Sequence, residues 1–139
     1  MRVYLDASVL VALIANDALT GRANGFLREA RPVPVVSDFA AAEFASAIAR
    51  RVRMGSLSAD DARVGFATFD SWVARVAERA DTVTADVRMA EALLRRLDLT
   101  LRTPDAVNIA IAQRVGACLA TYDEKMAGCA RALGTVVVG

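Results

Sequence analysis

Short, wholly apolar runs alternate along the chain with longer stretches in which apolar residues recur every three or four positions. Val3-Tyr4-Leu5 is a β-prone run, and the stretch from Ser8 to Ala15 that follows has the length and composition of a helix. A second helix is predicted from about Arg22 to Ala30, stopped by Pro32 and Pro34, before Val35-Val36 forms another buried strand. Ser37 or Asp38 then caps an Ala-rich helix running to Met54, with Gly55 as its terminator. Ser58 and Asp61 have capping-box spacing ahead of a helix whose Phe66, Phe69, Val73 and Val76 make an apolar stripe, expected in the core or at an interface.

A short third strand is expected over residues 81–84, followed by a helix from Asp86 to about Leu97 with Met89, Leu93, Leu94 and Leu97 on one side. Thr103-Pro104 reads as a helix start and Gly116 as its end. Cys118 to Thr121 is then a strand, Asp123 to Leu133 a helix, Gly134 its stop, and Thr135 to Val138 the last strand. Short apolar strands alternating with helices imply an α/β fold with a parallel sheet covered on both faces. With 139 residues, neither internal repeat nor linker, and one such series, residues 1–139 form a single domain.

Composition narrows the function. The longest apolar run, Val9 to Ala15, is far short of the roughly 20 residues that span a bilayer, and Asp6 interrupts the N-terminus before any signal-like region, so a cytoplasmic protein is expected. Cys118 and Cys129 lack metal-site spacing and read as reduced thiols. A net charge of +1 excludes a generic polycation, leaving nucleic-acid contact to local patches. Arg50, Arg51 and Arg53 form one such patch, a candidate for substrate phosphate or simply a solvated helix end that complements the macrodipole. Because histidine is absent, Ser-His-Asp catalysis, His-based RNA cyclisation and His-liganded zinc are all excluded.

Acid, base and ligand chemistry therefore falls to carboxylates. In an open parallel sheet, ligands bind beyond the carboxyl ends of the strands. Asp6 ends the first strand, Asp123 lies just past the fourth, Asp105 sits in the first turn of its helix, and Glu43 interrupts a small apolar helix face between Phe39 and Ala47. Each alone has an ordinary explanation, as a cap, a dipole partner or a solvated acid. Together they would repel one another unless a cation compensates, and an all-oxygen donor set points to Mg²⁺ or Mn²⁺.

Asp6-Ala7-Ser8, Glu43, Thr103-Pro104-Asp105-Ala106 and Ala120-Thr121-Tyr122-Asp123 followed by Leu133-Gly134 resemble the PIN domain, specifically the VapC-type ribonuclease toxins of bacterial toxin–antitoxin pairs. The resemblance implies a three-layer α/β/α sandwich with a mainly parallel sheet of four to five strands. It implies a Mg²⁺ or Mn²⁺ site at Asp6, Glu43, Asp105 and Asp123, with the hydroxyls of Ser8 and Thr121 in support. It further implies endonucleolytic cleavage of RNA, often a structured RNA such as tRNA, a homodimer, and a VapB-type antitoxin that neutralises the toxin and carries it to operator DNA. Asn108 departs from the pattern, since relatives often place His there, and the departure is expected to bear on substrate contacts.

The expected mechanism has a metal held by Asp6 and Asp105, directly or through waters shared with Glu43 and Asp123, activating a water that attacks the scissile phosphate. With no His to serve the 2′-hydroxyl route, the products expected are a 5′-phosphate and a 3′-hydroxyl. Substrate recognition is expected from surface arginines such as Arg22, Arg50, Arg51, Arg53 and Arg102. A receiver or aspartyl-phosphate phosphatase would need adjacent acids or Asp-x-Asp where this chain has Asp6-Ala7-Ser8. The alternative reading is a catalytically silent binding module that acts with an antitoxin on operator DNA, against which all four acids are retained.

Overall fold

The computed structural model describes residues 1–139. Its elements are β1 (Arg2–Leu5), α1 (Ala7–Ile14), α2 (Thr20–Ala30), β2 (Val33–Ser37), α3 (Asp38–Arg53), α4 (Ala59–Val76), β3 (Glu78–Ala80), α5 (Thr84–Leu94), α6 (Thr103–Arg114), β4 (Cys118–Ala120), α7 (Glu124–Ala132) and β5 (Val137–Val138). The strands form one sheet in the order β3-β2-β1-β4-β5, and every neighbouring pair is parallel. The expected α/β fold, with helices flanking a parallel sheet, is what the structure shows.

Val3, Tyr4 and Leu5 of β1 and Val35 and Val36 of β2 are wholly buried, as a strand covered on both faces requires. Each such side chain contributes about 1.5–3 kcal/mol of apolar burial. On one side α1 packs against α2, α3 and α4, while α5 pairs with α6. Helix α6 carries only a weak amphipathic pattern because most of its circumference is covered, from Asp105 through Ala112. The aromatic stripe of α4 lies in the core as expected at Phe69, which stacks on Phe44 with ring centroids 4.4 Å apart, and at Val73; Val76 is exposed.

Two expectations need correction. The third strand lies at Glu78–Ala80, not at residues 81–84. Backbone pairing with Val35–Ser37 selects this polar segment for the sheet edge, where Arg79 meets Asp38 at 2.6 Å, and leaves Thr82 to accept the Phe39 N–H. Helix α5 ends at Leu94, and its buried face is Asp86, Ala90 and Leu93, with Met89 and Leu97 exposed. Leu97 has φ +65° and lies outside the helix, so the apparent stripe came from counting helical periods past the real end.

The strand order reverses beside β1: the chain moves outward through β2 and β3, then returns to place β4 on the other flank. A reversal of this kind opens a crevice at the strands' carboxyl ends. The β1–α1 and β4–α7 turns meet there, joined by a hydrogen bond from Asp6 N–H to Ala120 C=O at 3.2 Å.

Candidate active site

Asp6 is the N-cap of α1, accepting from Val9 N–H at 3.2 Å, and is only 4% exposed. Ser8 Oγ donates to Asp6 Oδ1 and Thr121 Oγ1 to Oδ2, both at 2.6 Å. Each hydroxyl also accepts from the β4–α7 turn, Ser8 from Tyr122 N–H at 2.9 Å and Thr121 from Asp123 N–H at 3.0 Å. Thus Ser8 and Thr121 orient the Asp6 carboxylate and tie it to the turn that carries Asp123. Asp123 in turn caps α7 by accepting from Met126 N–H at 3.0 Å.

Asp105 stands in the first turn of α6 and accepts from the N–H of the N-cap residue Arg102 at 3.2 Å, capping the helix by reaching back. Glu43 is held by Asn108, whose amide donates to Glu43 Oε1 at 2.7 Å and to Pro104 C=O at 2.9 Å. Tyr4 hydroxyl donates to Asn108 Oδ1 at 2.6 Å. Since that proton is committed, the 2.6 Å contact between Tyr4 and Ser37 is donated by Ser37, whose Oγ also accepts the Ala40 N–H. A one-way chain therefore runs from Ser37 through Tyr4 and Asn108 to Glu43.

Burial raises the pKa of Asp6, opposed by its hydroxyl and backbone donors. Burial likewise raises that of Glu43; the Asn108 bond opposes this, and the charges of Asp6 and Asp105 add to it. These acids therefore share one field. Asp105 and Asp123 line a common cavity of about 280 Å³ with Thr100, Arg102 and Lys125. A larger cavity of about 330 Å³ lies between α5 and α6 near Asp86 and contains none of the four acids.

A match to the PIN domain family covers residues 3–132. The chain belongs to the PIN domain family. This PIN domain is 29% identical to Ribonuclease VapC46 of Mycobacterium tuberculosis, over 98% of the chain and 95% of that protein. Its fold resembles VapC20 of the same organism, a sarcin–ricin loop cleaving toxin, with TM-score 0.74 and 22% identity over 96% of both chains. It also resembles VapBC2 from Rickettsia felis bound to a promoter DNA fragment, with TM-score 0.69 and 15% identity over 99% and 98% of the two chains.

The PIN fold brings the four acids to one end of the sheet but not into one ligand set, since no three carboxylates stand close enough to hold an ion together. By charge and donor type they still fit a hard divalent cation: all the donors are oxygen, and buried Asp6 and half-buried Glu43 have no cationic side chain beside them, while Asp105 has only Arg102 at 3.8 Å. Arg50, Arg51 and Arg53 are not brought to the acids. They follow Glu43 down α3 by seven to ten residues, roughly 10–15 Å at 1.5 Å per residue. Arg51 is paired with Asp17 at 3.2 Å.

Asn108 is 2% exposed and its amide is committed to Glu43, which corrects its expected role in substrate contact. Tyr4, Ser37 and Asn108 are the site residues that pattern reading missed or misassigned. The available signal was a lone amide in the buried run Val107-Asn108-Ile109-Ala110, one turn beyond Asp105.

Proposed function

We propose that this chain is a VapC-type toxin, a cytoplasmic endoribonuclease that requires Mg²⁺, with Mn²⁺ as a substitute. The observation that carries the reading is Asp6: a buried carboxylate, gripped by two hydroxyls at 2.6 Å, at the sheet-order reversal and beside Glu43. Its relation to a protein named as a ribonuclease supports the substrate class. No helix is long and apolar enough to cross a membrane, as the cytoplasmic reading requires.

When bound, a divalent ion acidifies water and offsets charge on the phosphoryl oxygens. Asp6 and Asp105 would hold it directly. Glu43 and Asp123 would act through water, with Glu43 placed by Asn108 to accept a proton from the attacking water as it adds to phosphorus. Ser8 and Thr121 keep both Asp6 oxygens aimed and cannot act as bases, because each donates its proton to that carboxylate. The products are a 5′-phosphate and a 3′-hydroxyl. Solved neighbours that include VapBC2 on promoter DNA support a VapB-type antitoxin that neutralises this chain and links it to operator DNA. A homodimer completes the proposed assembly.

The test is cleavage of total tRNA and ribosomal RNA by antitoxin-free protein with Mg²⁺, beside EDTA and Asp6→Asn controls. Cleavage should vanish in both controls and leave 5′-phosphate ends. A 2′,3′-cyclic phosphate, or cleavage indifferent to EDTA, would falsify the mechanism.

A further inference from the structure

The carboxylate centre is flanked by two polar cavities, one on each side of the β4–α7 turn at residues 121–123. The first, of about 280 Å³, has no apolar lining residue and sets the cations Arg102 and Lys125 beside Asp105 and Asp123. Lys125 is the only lysine among the 17 basic residues of the chain and is exposed without an ion pair. Arg102 is also exposed, with its Nε 3.8 Å from Asp105.

The second, of about 130 Å³, is lined by Arg22, Thr121, Glu124 and Arg131 among others. Here the Arg22 guanidinium lies over the Tyr122 ring, 4.6 Å from its centroid. Arg22 Nη2 also donates to the main-chain oxygen of Gly139 at 2.6 Å. Arg22 and Arg131 are exposed and neither makes an ion pair with an aspartate or glutamate. Thr121, the hydroxyl donor to Asp6, reaches this cavity, while Asp123 two residues later reaches the other.

A chain of phosphates needs cations spaced along its path, and an unpaired nucleotide also needs a flat surface on which a base can stack; aromatic rings and guanidinium planes both provide one. Resting on the ribonuclease reading, we propose that single-stranded RNA crosses the carboxylate centre from one cavity to the other. Arg102 and Lys125 grip its phosphates on one side, and the Arg22–Tyr122 stack with Arg131 receives the adjoining nucleotide on the other. The path also leaves the Arg50–Arg53 cluster outside the footprint, since that cluster lies two to three turns down α3.

The experiment measures fluorescence anisotropy of a labelled mixed-sequence single-stranded RNA on the full chain carrying Asp6→Asn, which prevents cutting, across a salt series. Adding Arg102→Gln with Lys125→Gln should flatten the slope of log affinity against log salt by about 1.4, at roughly 0.7 per phosphate contact on single strands. Tyr122→Ala should weaken binding about tenfold at fixed salt, while Tyr122→Phe retains it. Arg50→Gln with Arg53→Gln should leave affinity and slope unchanged. If RNA binds but the Arg50–Arg53 pair carries the losses, or the flanking variants bind as the parent does, the path is wrong and the ribonuclease reading stands. If the parent chain binds no RNA even at low salt, while the unmutated chain leaves RNA intact with Mg²⁺, both are overturned.

Discussion

Asp6 and Asp86 are both buried carboxylates, 4% and 1% exposed, at the N-terminal ends of α1 and α5. Around Asp86 the chain supplies its own counter-charge: Arg114 donates from Nε at 2.7 Å and Nη2 at 3.1 Å, and Val83 N–H adds a third bond at 2.9 Å. Arg114 further donates to Asp81 C=O, and its pKa is raised by the Asp86 bond. Asp6 receives only neutral donors, and burial still lifts its pKa. A buried charge with an internal partner fastens elements together, here α5 to α6. One without a partner is costly unless the missing cation comes from outside. Burial therefore does not separate Asp86, which fastens the fold, from Asp6, the proposed metal ligand; internal compensation does.

The sharpest break of that comparison is to neutralise each acid in turn. Asp6→Asn should reduce RNA cleavage to background while raising the metal-free melting temperature, because it removes an uncompensated buried charge. Asp86→Asn should do the reverse, retaining cleavage and losing about 2 kcal/mol, less than a fully buried pair because Arg114 keeps a third of its side chain in water. In a chain of this size that is roughly a 6–10 °C drop. Differential scanning fluorimetry beside a cleavage assay reads both, and the distinction fails if the two variants shift stability in the same direction.

What the pattern revealed and what it hid follow the same physics. Strands β1, β2 and β4 are legible because burial on both faces forces continuous apolar runs, and Asp6, Asp105 and Asp123 are legible because strand ends and helix starts place them at the crevice. Strand β3 was not, because an edge strand held by backbone pairing can carry Glu78 and Arg79 as surface ion-pairing residues. Helix α6 yields its start from Thr103-Pro104 but not the purpose of Asn108, because an amide buried among apolar neighbours acquires meaning only when Glu43 and Tyr4, distant in sequence, arrive beside it. The Arg50–Arg53 cluster was legible as charge alone; its distance from the acids is a property of helix direction.

A second, smaller effect concerns pH. The folded-state pKa values of Asp6 and Glu43 lie above their ordinary values of 3.8 and 4.5, chiefly through burial. Between the ordinary and the raised values the folded chain binds more protons than the unfolded one, so its stability falls as pH rises through that window. Most carboxylates held by cations or helix ends behave in the opposite sense. In EDTA, the melting temperature of the wild type should therefore decline just above the ordinary carboxylate range, and Asp6→Asn should flatten the decline. With saturating Mg²⁺ the anionic forms are favoured and the decline should disappear. A stability that climbs steadily through this range in EDTA would remove the case that Asp6 is uncompensated.

The smallest effects test whether Glu43 belongs with Asp6 or with Asp86. Its only side-chain donor is Asn108, held by a Tyr4 phenol that burial keeps protonated well above its usual range. Asn108→Ala should lower cleavage about tenfold, the lower end of what second-layer partners contribute at metal centres, and raise the Mg²⁺ concentration needed for half-maximal rate. Tyr4→Phe, which keeps the ring in the core and loses only the hydroxyl, should cost about 1 kcal/mol of stability and a few-fold in rate, with the same shift in Mg²⁺ requirement. A loss of stability with an unchanged Mg²⁺ requirement would make this chain of bonds a core fastening like Arg114 to Asp86. A shift in the requirement that grows from Tyr4→Phe to Asn108→Ala would mean that these buried bonds hold Glu43 where an external cation needs it.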